Sequence, residues 1–297
     1  MVLKSAGLAV VSAAIGEGAK DGGCKFGASA LLQSGLADAL ASSGRLVTNS
    51  PIITADAMGA ENRLDVVGRF SVELAHAVEA VMRCGNQALV LGGDHSCAIG
   101  TWSGMAQALK PKGELGLIWI DAHLDAHTWD SSESKAPHGM PLAALLGYGT
   151  ENLTAIYGWR GKLKAENIVV IGARSYEREE QKLLDRLGVR VMYMAEVQRR
   201  GFKACFDDAR ERVACKTAGW GISLDLDGLD PKDAPATGTP VENGICAEAA
   251  LRALTSCRHD HDFIGLEIAE YNPLKDFGGQ TARLVSQLSA AAFGKVV

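Results

Sequence analysis

The stretch LGLIWIDAHLD, residues 115–125, joins an apolar run to a set of polar side chains. Residues 115–120 are typical of a strand buried in a parallel sheet. Asp121, His123 and Asp125 follow at alternate positions, so in an extended chain their side chains point the same way. Two carboxylates and an imidazole held together would repel one another and lose hydration unless a cation lay among them. The stretch therefore predicts a parallel α/β fold with a metal site at the end of this strand.

Two other stretches repeat this design. WGISLDLD, residues 220–227, sets two further carboxylates on one face after an apolar run, and QALVLGGDHS, residues 87–96, brings an imidazole to the end of another predicted strand. Because parallel sheets carry their functional sites at the carboxyl ends of the strands, these side chains should meet. The candidate metal ligands are His95, Asp121, His123, Asp125, Asp225 and Asp227.

This ligand set is larger than one ion needs. Its four carboxylates compensate the charge of about two divalent cations, which are commonly bridged by shared carboxylates and a water. Oxygen-rich ligands with only two imidazoles favour Mn²⁺ over Zn²⁺. The cysteines show no spacing typical of a thiolate zinc site. The sequence thus predicts about two Mn²⁺ ions per chain.

The composition argues against several classes of protein. The 297 residues are 47% hydrophobic and 22% charged, as in a globular domain. A net charge of −5 argues against nucleic-acid binding, and no apolar run reaches the roughly 18 residues of a membrane span. Seven cysteines without paired spacing indicate reduced thiols in a cytoplasmic protein. Residues 1–16 are apolar with one basic residue, which favours a first strand over a signal peptide.

Strand-like and helix-like segments alternate along the chain. The predicted strands are residues 8–15, 87–91, 115–120, 167–171, 189–194, 220–226 and 263–268. The predicted helices are residues 62–83, 98–109, 177–187, 202–215, 246–257 and 281–293. This alternation, without a linker or an internal repeat, predicts a single domain over residues 1–297 with a mostly parallel sheet covered on both faces.

Two long loops follow the metal strands. Residues 126–137 are polar, and residues 228–244 are rich in proline and glycine. Because loops at this edge of a sheet normally carry substrate contacts, both are candidates for substrate recognition.

Taken together, the motifs resemble those of the ureohydrolases, the family of arginase, agmatinase, guanidinobutyrase and formimidoylglutamase. The matching stretches, in the family's order, are GGDHS at 92–96, DAHLD at 121–125, HGMP at 138–141, SLDLDGLDP at 223–231, TGTP at 237–240 and EYNP at 270–273. The resemblance implies a three-layer α/β/α fold with a mostly parallel sheet of about eight strands. It also implies a homo-oligomer, either a trimer or a hexamer.

The resemblance further implies how the ligands are shared between the two ions. One Mn²⁺ would bind His95, Asp121, Asp125 and Asp225. The other would bind Asp121, His123, Asp225 and Asp227. Asp121 and Asp225 would then bridge the two ions.

The implied reaction is hydrolysis of a guanidino group to urea and an amine. Guanidinium is a poor electrophile, and a water that bridges two cations loses its proton readily to become a strong nucleophile. Asp125 would orient this nucleophile, and the carboxylate of Glu270 would pair with the planar guanidinium. His138, by the resemblance, would be the proton shuttle to the leaving amine.

The motifs HGMP, TPV and NP resemble the arginase branch and favour L-arginine as the substrate. By this resemblance Glu177 would hold the α-ammonium, and Ser134 and His127 the carboxylate. Arginases usually carry Asn where this chain has His127, and typically Asp where it has Glu177. The alternatives are an agmatinase, a guanidinobutyrase or another guanidino-acid hydrolase and, less favoured, a formimidoylglutamase.

Two other classes of protein make different predictions. A metal-dependent deacetylase of related fold would need a single Zn²⁺, whereas His123 and Asp227 here complete a second site. A catalytically silent relative should have lost ligands, and this chain has lost none. Both classes are therefore disfavoured by the ligand set.

Overall fold

The computed structural model describes residues 7–41, 45–55 and 62–294. Its strands are β1 (Leu8–Ala14), β2 (Val47–Thr54), β3 (Gln87–Leu91), β4 (Leu115–Ile120), β5 (Ile168–Ile171), β6 (Arg190–Met192), β7 (Gly219–Asp225) and β8 (Phe263–Ala269). Within these residues the strands form one sheet, in which every pairing is parallel. Their order across the sheet is β2-β1-β3-β8-β7-β4-β5-β6.

Helices cover both faces of the sheet. In the described ranges they are α1 (Gly27–Gln33), α2 (Leu36–Ala41), α3 (Arg63–Arg83), α4 (Ala98–Leu109), α5 (Pro141–Leu145), α6 (Glu151–Thr154), α7 (Arg178–Leu187), α8 (Met194–Arg200), α9 (Phe202–Ala214), α10 (Ala247–Thr255) and α11 (Gln280–Phe293). One core contains buried residues of α1, α2 and α8 to α11. The other contains those of α3 to α7. The predicted three-layer α/β/α fold with a parallel sheet is thus confirmed.

Burial on both faces explains the apolar runs. In β4, Leu117 and Trp119 pack into one core, whereas Ile118 and Ile120 pack into the other. Each such side chain contributes about 1.5–3 kcal/mol on burial. A strand of this kind has no polar face, so its sequence reads as a continuous apolar segment.

The predicted elements agree with the structure except at one edge of the sheet. β3 and β4 have the predicted bounds, and the other predicted strands and helices differ by at most a few residues. Residues 1–6 lie outside the described part of the chain. β2 was not predicted, because it is an edge strand with mostly exposed positions and an internal Pro51. The short helices α1, α2, α6 and α8 were also not predicted.

No helix in the described ranges combines the length and the apolar character that crossing a bilayer requires.

Candidate active site

The candidate ligands lie at the carboxyl ends of strands in the middle of the sheet. β3, β8, β7 and β4 are neighbours there, and His95, Glu270, Asp225 and Asp121 stand at their respective ends. The turn after β3 needs glycine, because a Cβ on Gly93 would lie 1.9 Å from the carbonyl oxygen of Ile15. The three stretches predicted from the sequence therefore do converge on one place.

One group of ligands surrounds the ring of His95. Its Nδ1 lies 3.2 Å from Asp121 Oδ2, 3.0 Å from Asp125 Oδ2 and 3.0 Å from Asp225 Oδ2. All four side chains are buried, and this Nδ1 has no hydrogen-bond partner among the described residues. Buried polar atoms are nearly always satisfied. An unpaired nitrogen that faces three carboxylate oxygens has the donor chemistry of a divalent-cation site.

A second group consists of Asp121, His123 and Asp227. His123 Nδ1 lies 3.4 Å from Asp121 Oδ1 and 3.2 Å from Asp227 Oδ2. Asp121 thus presents one oxygen to each group, as a bridging ligand requires. Asp225 belongs to the first group only, and its Oδ1 accepts a hydrogen bond of 2.8 Å from the amide of Asp227. The resemblance implies that Asp225 also bridges the two ions, and this stays a prediction.

The carboxylates of these groups destabilise one another's charge. Burial, followed by repulsion from Asp121, raises the pKa of Asp125 to about 6. Burial and the charges of Asp227 and Asp121 raise the pKa of Asp225 well above its usual value. Asp121 is the exception, because burial opposes its ionisation but the neighbouring imidazoles of His123 and His95 outweigh burial and lower its pKa. Divalent cations among these oxygens would relieve the repulsion, so the residues present fit a metal centre.

Two site residues have left-handed backbone conformations that are uncommon outside glycine. φ is 48° at Asp125 and 65° at Glu270. Backbone hydrogen bonds hold both, from Leu142 N to Asp125 O at 2.9 Å and from Glu270 N to the carbonyl of Gly93 at 2.8 Å. Such strain is found where a side chain must be aimed at a functional site.

Glu270 is buried and contacts His138. Its Oε1 accepts a hydrogen bond of 2.9 Å from the amide of His95 and lies 3.2 Å from His138 Nδ1. Its Oε2 accepts one of 3.2 Å from the thiol of Cys24. Although burial opposes it, the hydrogen bond and charge of Glu270 raise the pKa of His138 to about 9. The structure thus places a carboxylate and a proton-carrying imidazole side by side.

A cavity of about 250 Å³ opens beside the ligands. It is lined by the ligand residues His123, Asp125, Asp225 and Asp227, and by His127, Ser132, Ser134, Ala136, His138, Gly139, Ser175, Tyr176, Glu177, Glu180 and Thr239. All three residues predicted for substrate recognition besides Glu270 are present in this wall. Glu270 is absent from the described lining and contacts His138, which does line the cavity. Both predicted loops contribute residues, as expected.

The loop of residues 228–244 is fastened by one guanidinium group. Arg174 donates hydrogen bonds to the carbonyl oxygens of Gly172, Asp227, Gly228, Leu229, Val241 and Glu242. Thr239, within this loop, donates a hydrogen bond of 2.9 Å to Asp227 Oδ2. The loop therefore positions a metal-ligand candidate as well as a wall of the cavity.

Several neighbours of the ligands were not predicted. Trp119 Nε1 donates to Asp121 Oδ2 at 2.9 Å, and Ser223 Oγ lies 3.0 Å from His95 Nε2. Behind the hydroxyl of Ser223 lies Glu267, a fully buried carboxylate that also accepts a hydrogen bond of 2.9 Å from Trp102. Glu267 could have been found as the lone charge in the apolar strand FIGLEIA, since buried charges require partners.

Comparison with known proteins agrees with this geometry. The arginase family model matches residues 6–294. An arginase from Brevibacillus brevis is 44% identical over 231 residues, which cover 78% of this chain and 76% of that protein. The crystal structure of arginase from Bacillus cereus covers 99% of this chain and 100% of its own, with a TM-score of 0.92 and 35% identity. That of Entamoeba histolytica arginase, solved in complex with L-ornithine, covers 98% of this chain and 100% of its own, with a TM-score of 0.89 and 27% identity.

These matches run over the whole of the sheet and both helical layers, and the motifs that carry the candidate ligands fall inside them. The predicted resemblance to the ureohydrolases is confirmed. The chain belongs to the arginase family and is a guanidino-group hydrolase.

Proposed function

We propose that this enzyme hydrolyses L-arginine to L-ornithine and urea, with about two Mn²⁺ ions bound per chain. The observation that carries the proposal is the pair of Asp/His groups that share Asp121. Their oxygen-rich composition favours Mn²⁺ over Zn²⁺. The arginases among its relatives support L-arginine as the substrate.

Two divalent cations, when bound, lower the pKa of water and neutralise developing negative charge. Asp125 accepts a hydrogen bond from the attacking water and orients it towards the guanidino carbon. The carboxylate of Glu270, which contacts the cavity-lining His138, pairs with the planar guanidinium.

His138 completes the reaction. Its Nδ1 faces Glu270, which leaves Nε2 for the substrate side of the cavity. Because its pKa is raised to about 9, the imidazole carries a proton at neutral pH. It gives this proton to the leaving nitrogen as the C–N bond breaks, so the products are an amine and urea.

The α-ammonium and carboxylate groups of the substrate contact the remaining polar residues that line the cavity. Glu177 holds the α-ammonium, and Ser134 and His127 hold the carboxylate. No Lys or Arg side chain stands among the lining residues that the structure describes. A second candidate substrate is 4-guanidinobutyrate, which the contact between His127 and Glu177 favours because that compound brings no α-ammonium.

We further propose a cytoplasmic location and a trimer or hexamer. All seven cysteines are free thiols, as is usual in a reducing compartment. Light scattering of the purified protein tests the assembly, for which a monomer would be the contrary result.

The decisive experiment measures urea release from Mn²⁺-loaded protein on L-arginine, agmatine and 4-guanidinobutyrate in parallel. We expect the highest kcat/KM on L-arginine, and about two Mn²⁺ per chain by elemental analysis. Asp130→Asn, at an exposed loop position, is the matched control for substitutions of the buried aspartates. Preference for another guanidine would overturn the substrate, whereas a single Zn²⁺ or no metal would overturn the metal centre.

A further inference from the structure

The ring of His127 is held between a serine and two glutamates. Its Nε2 is hydrogen-bonded to Glu177 Oε2 and lies 3.5 Å from Glu180 Oε2, and its Nδ1 lies 3.1 Å from Ser131 Oγ. The imidazole is buried, whereas the Glu177 side chain is 66% exposed. The ring is therefore the fixed partner in this contact, and the carboxylate is the one that can swing away.

The contact joins two of the positions at which this chain differs from the usual arginase pattern. Imidazole in place of a carboxamide, and Glu in place of Asp, both lengthen the side chain. The structure shows that the two longer side chains reach each other. Each of the two residues thus provides a hydrogen-bond partner for the other.

Glu180 is less available to a substrate than Glu177, because it is buried and both of its oxygens accept backbone hydrogen bonds. Its Oε1 accepts a hydrogen bond of 3.0 Å from the amide of Ala126, and its Oε2 accepts one of 2.9 Å from the amide of Glu177. The other carboxylates in the described lining, those of Asp125, Asp225 and Asp227, belong to the metal groups. Glu177 is hence the one exposed carboxylate in the described lining, and the one best placed for a substrate ammonium.

We infer that His127 acts as a latch on Glu177: the hydrogen bond between them must break before the carboxylate can turn away from the ring and bind an α-ammonium. The inference rests on the proposed function and refines its substrate specificity. Guanidino acids without an α-ammonium, such as 4-guanidinobutyrate, enter without opening the latch. The latch therefore raises KM for L-arginine but not for such compounds, and so reduces the preference of the enzyme for L-arginine.

The first test is kinetic and uses His127→Asn, because Asn keeps a donor for the substrate carboxylate but leaves Glu177 open. We expect KM for L-arginine to fall about fivefold, which corresponds to the loss of one competing hydrogen bond. The effect falls on KM rather than kcat, and KM for 4-guanidinobutyrate does not fall. Ser131→Ala, which removes the partner of Nδ1, shifts KM for L-arginine in the same direction by less. Asp130→Asn is the loop control.

The second test measures product binding by calorimetry and needs no turnover. L-ornithine carries an α-ammonium and 4-aminobutyrate does not, so only L-ornithine should bind more tightly to His127→Asn. Equal changes for both products, or weaker L-ornithine binding, would overturn the latch. Absence of urea release from every guanidine would instead overturn the proposed function, and the comparison of the two products would still decide the latch.

Discussion

Ser223 Oγ donates a hydrogen bond of 2.7 Å to Glu267 Oε2. Because the hydroxyl proton is committed to this carboxylate, the same oxygen can only accept from His95 Nε2, 3.0 Å away. The proton of His95 is thereby kept on Nε2, and the lone pair of Nδ1 is directed at the three aspartates. A buried carboxylate outside the ligand set thus fixes the tautomer that a metal ligand needs.

Replacing Glu267 with Gln should therefore weaken metal binding. The amide can donate to Ser223 and release the hydroxyl proton towards His95, which removes the tautomer preference. We expect roughly 10- to 100-fold weaker Mn²⁺ binding, measured by competition with a chelator. Asp262→Asn, at an exposed position just before β8, serves as the control. An unchanged Mn²⁺ affinity in Glu267→Gln would show that the hydrogen bonds linking Glu267, Ser223 and His95 do not affect metal binding.

Asp125→Asn should abolish turnover and keep the fold. Asn tolerates the left-handed backbone that this position requires, so the substitution removes charge without adding strain. We expect kcat to fall at least about 100-fold with the melting temperature nearly unchanged. Urea release and thermal unfolding, each compared with Asp130→Asn, give the two readouts. Near-normal urea release would contradict the role of Asp125.

The thiol of Cys24 should help to position Glu270. Burial and the neighbouring charge of Glu270 raise the pKa of this thiol well above its usual range, so it remains a protonated donor. Cys24→Ala should lower kcat/KM about fivefold, the loss of one hydrogen bond, and Cys24→Ser should restore most of it. The exposed Cys84 provides the control Cys84→Ala. Equal activity of the Ala and Ser variants would contradict this role.

The activity should fall at alkaline pH as His138 loses its proton. Its pKa is raised to about 9, so kcat should decline through about pH 9. The stability of the folded protein should depend on pH in the same direction. Because folding raises the pKa of His138, its protonation stabilises the fold fully below the unfolded pKa of about 6.5. This stabilisation is lost as the pH rises through about 9. The free energy of unfolding of the wild type should thus exceed that of His138→Asn most at low pH.

Chemical denaturation of both proteins between about pH 6 and pH 10 checks the linkage. A difference that grows with pH would have the wrong sign and would contradict the assignment. In Glu270→Gln, which removes the charge that raises this pKa, the alkaline limb of kcat should move to lower pH.

The elements that could be predicted are those whose sequence reports burial directly. β3 and β4 are buried on both faces, so their apolar runs mark their ends, and Asp121 follows at the point where the sheet ends. β2 lies at an edge and has no such pattern. The sequence of β1, which pairs with β2, does not indicate this edge strand either, because the pairing uses backbone hydrogen bonds that almost any residue can make.

Most of the features of the site that could not be predicted are contacts between segments that are distant in the sequence. Cys24 and Glu270 are 246 residues apart, and neither stretch of sequence indicates that they touch. The contact of His127 with Glu177 is of the same kind, since each residue was predicted for the site but their mutual bond depends on side-chain reach. Periodicity describes one element at a time, and these bonds arise only when elements pack.

Arg174 fastens the loop of residues 228–244 entirely through main-chain oxygens. Every residue type offers the same carbonyl, so the attachment does not depend on which side chains the loop carries. The main chain beside Asp227 can therefore stay in place when side chains of the loop are substituted, except at Thr239, whose hydroxyl donates to Asp227. Arg174, which is not among the described lining residues, thus allows loop side chains to change during evolution while the main chain beside the catalytic centre keeps its position.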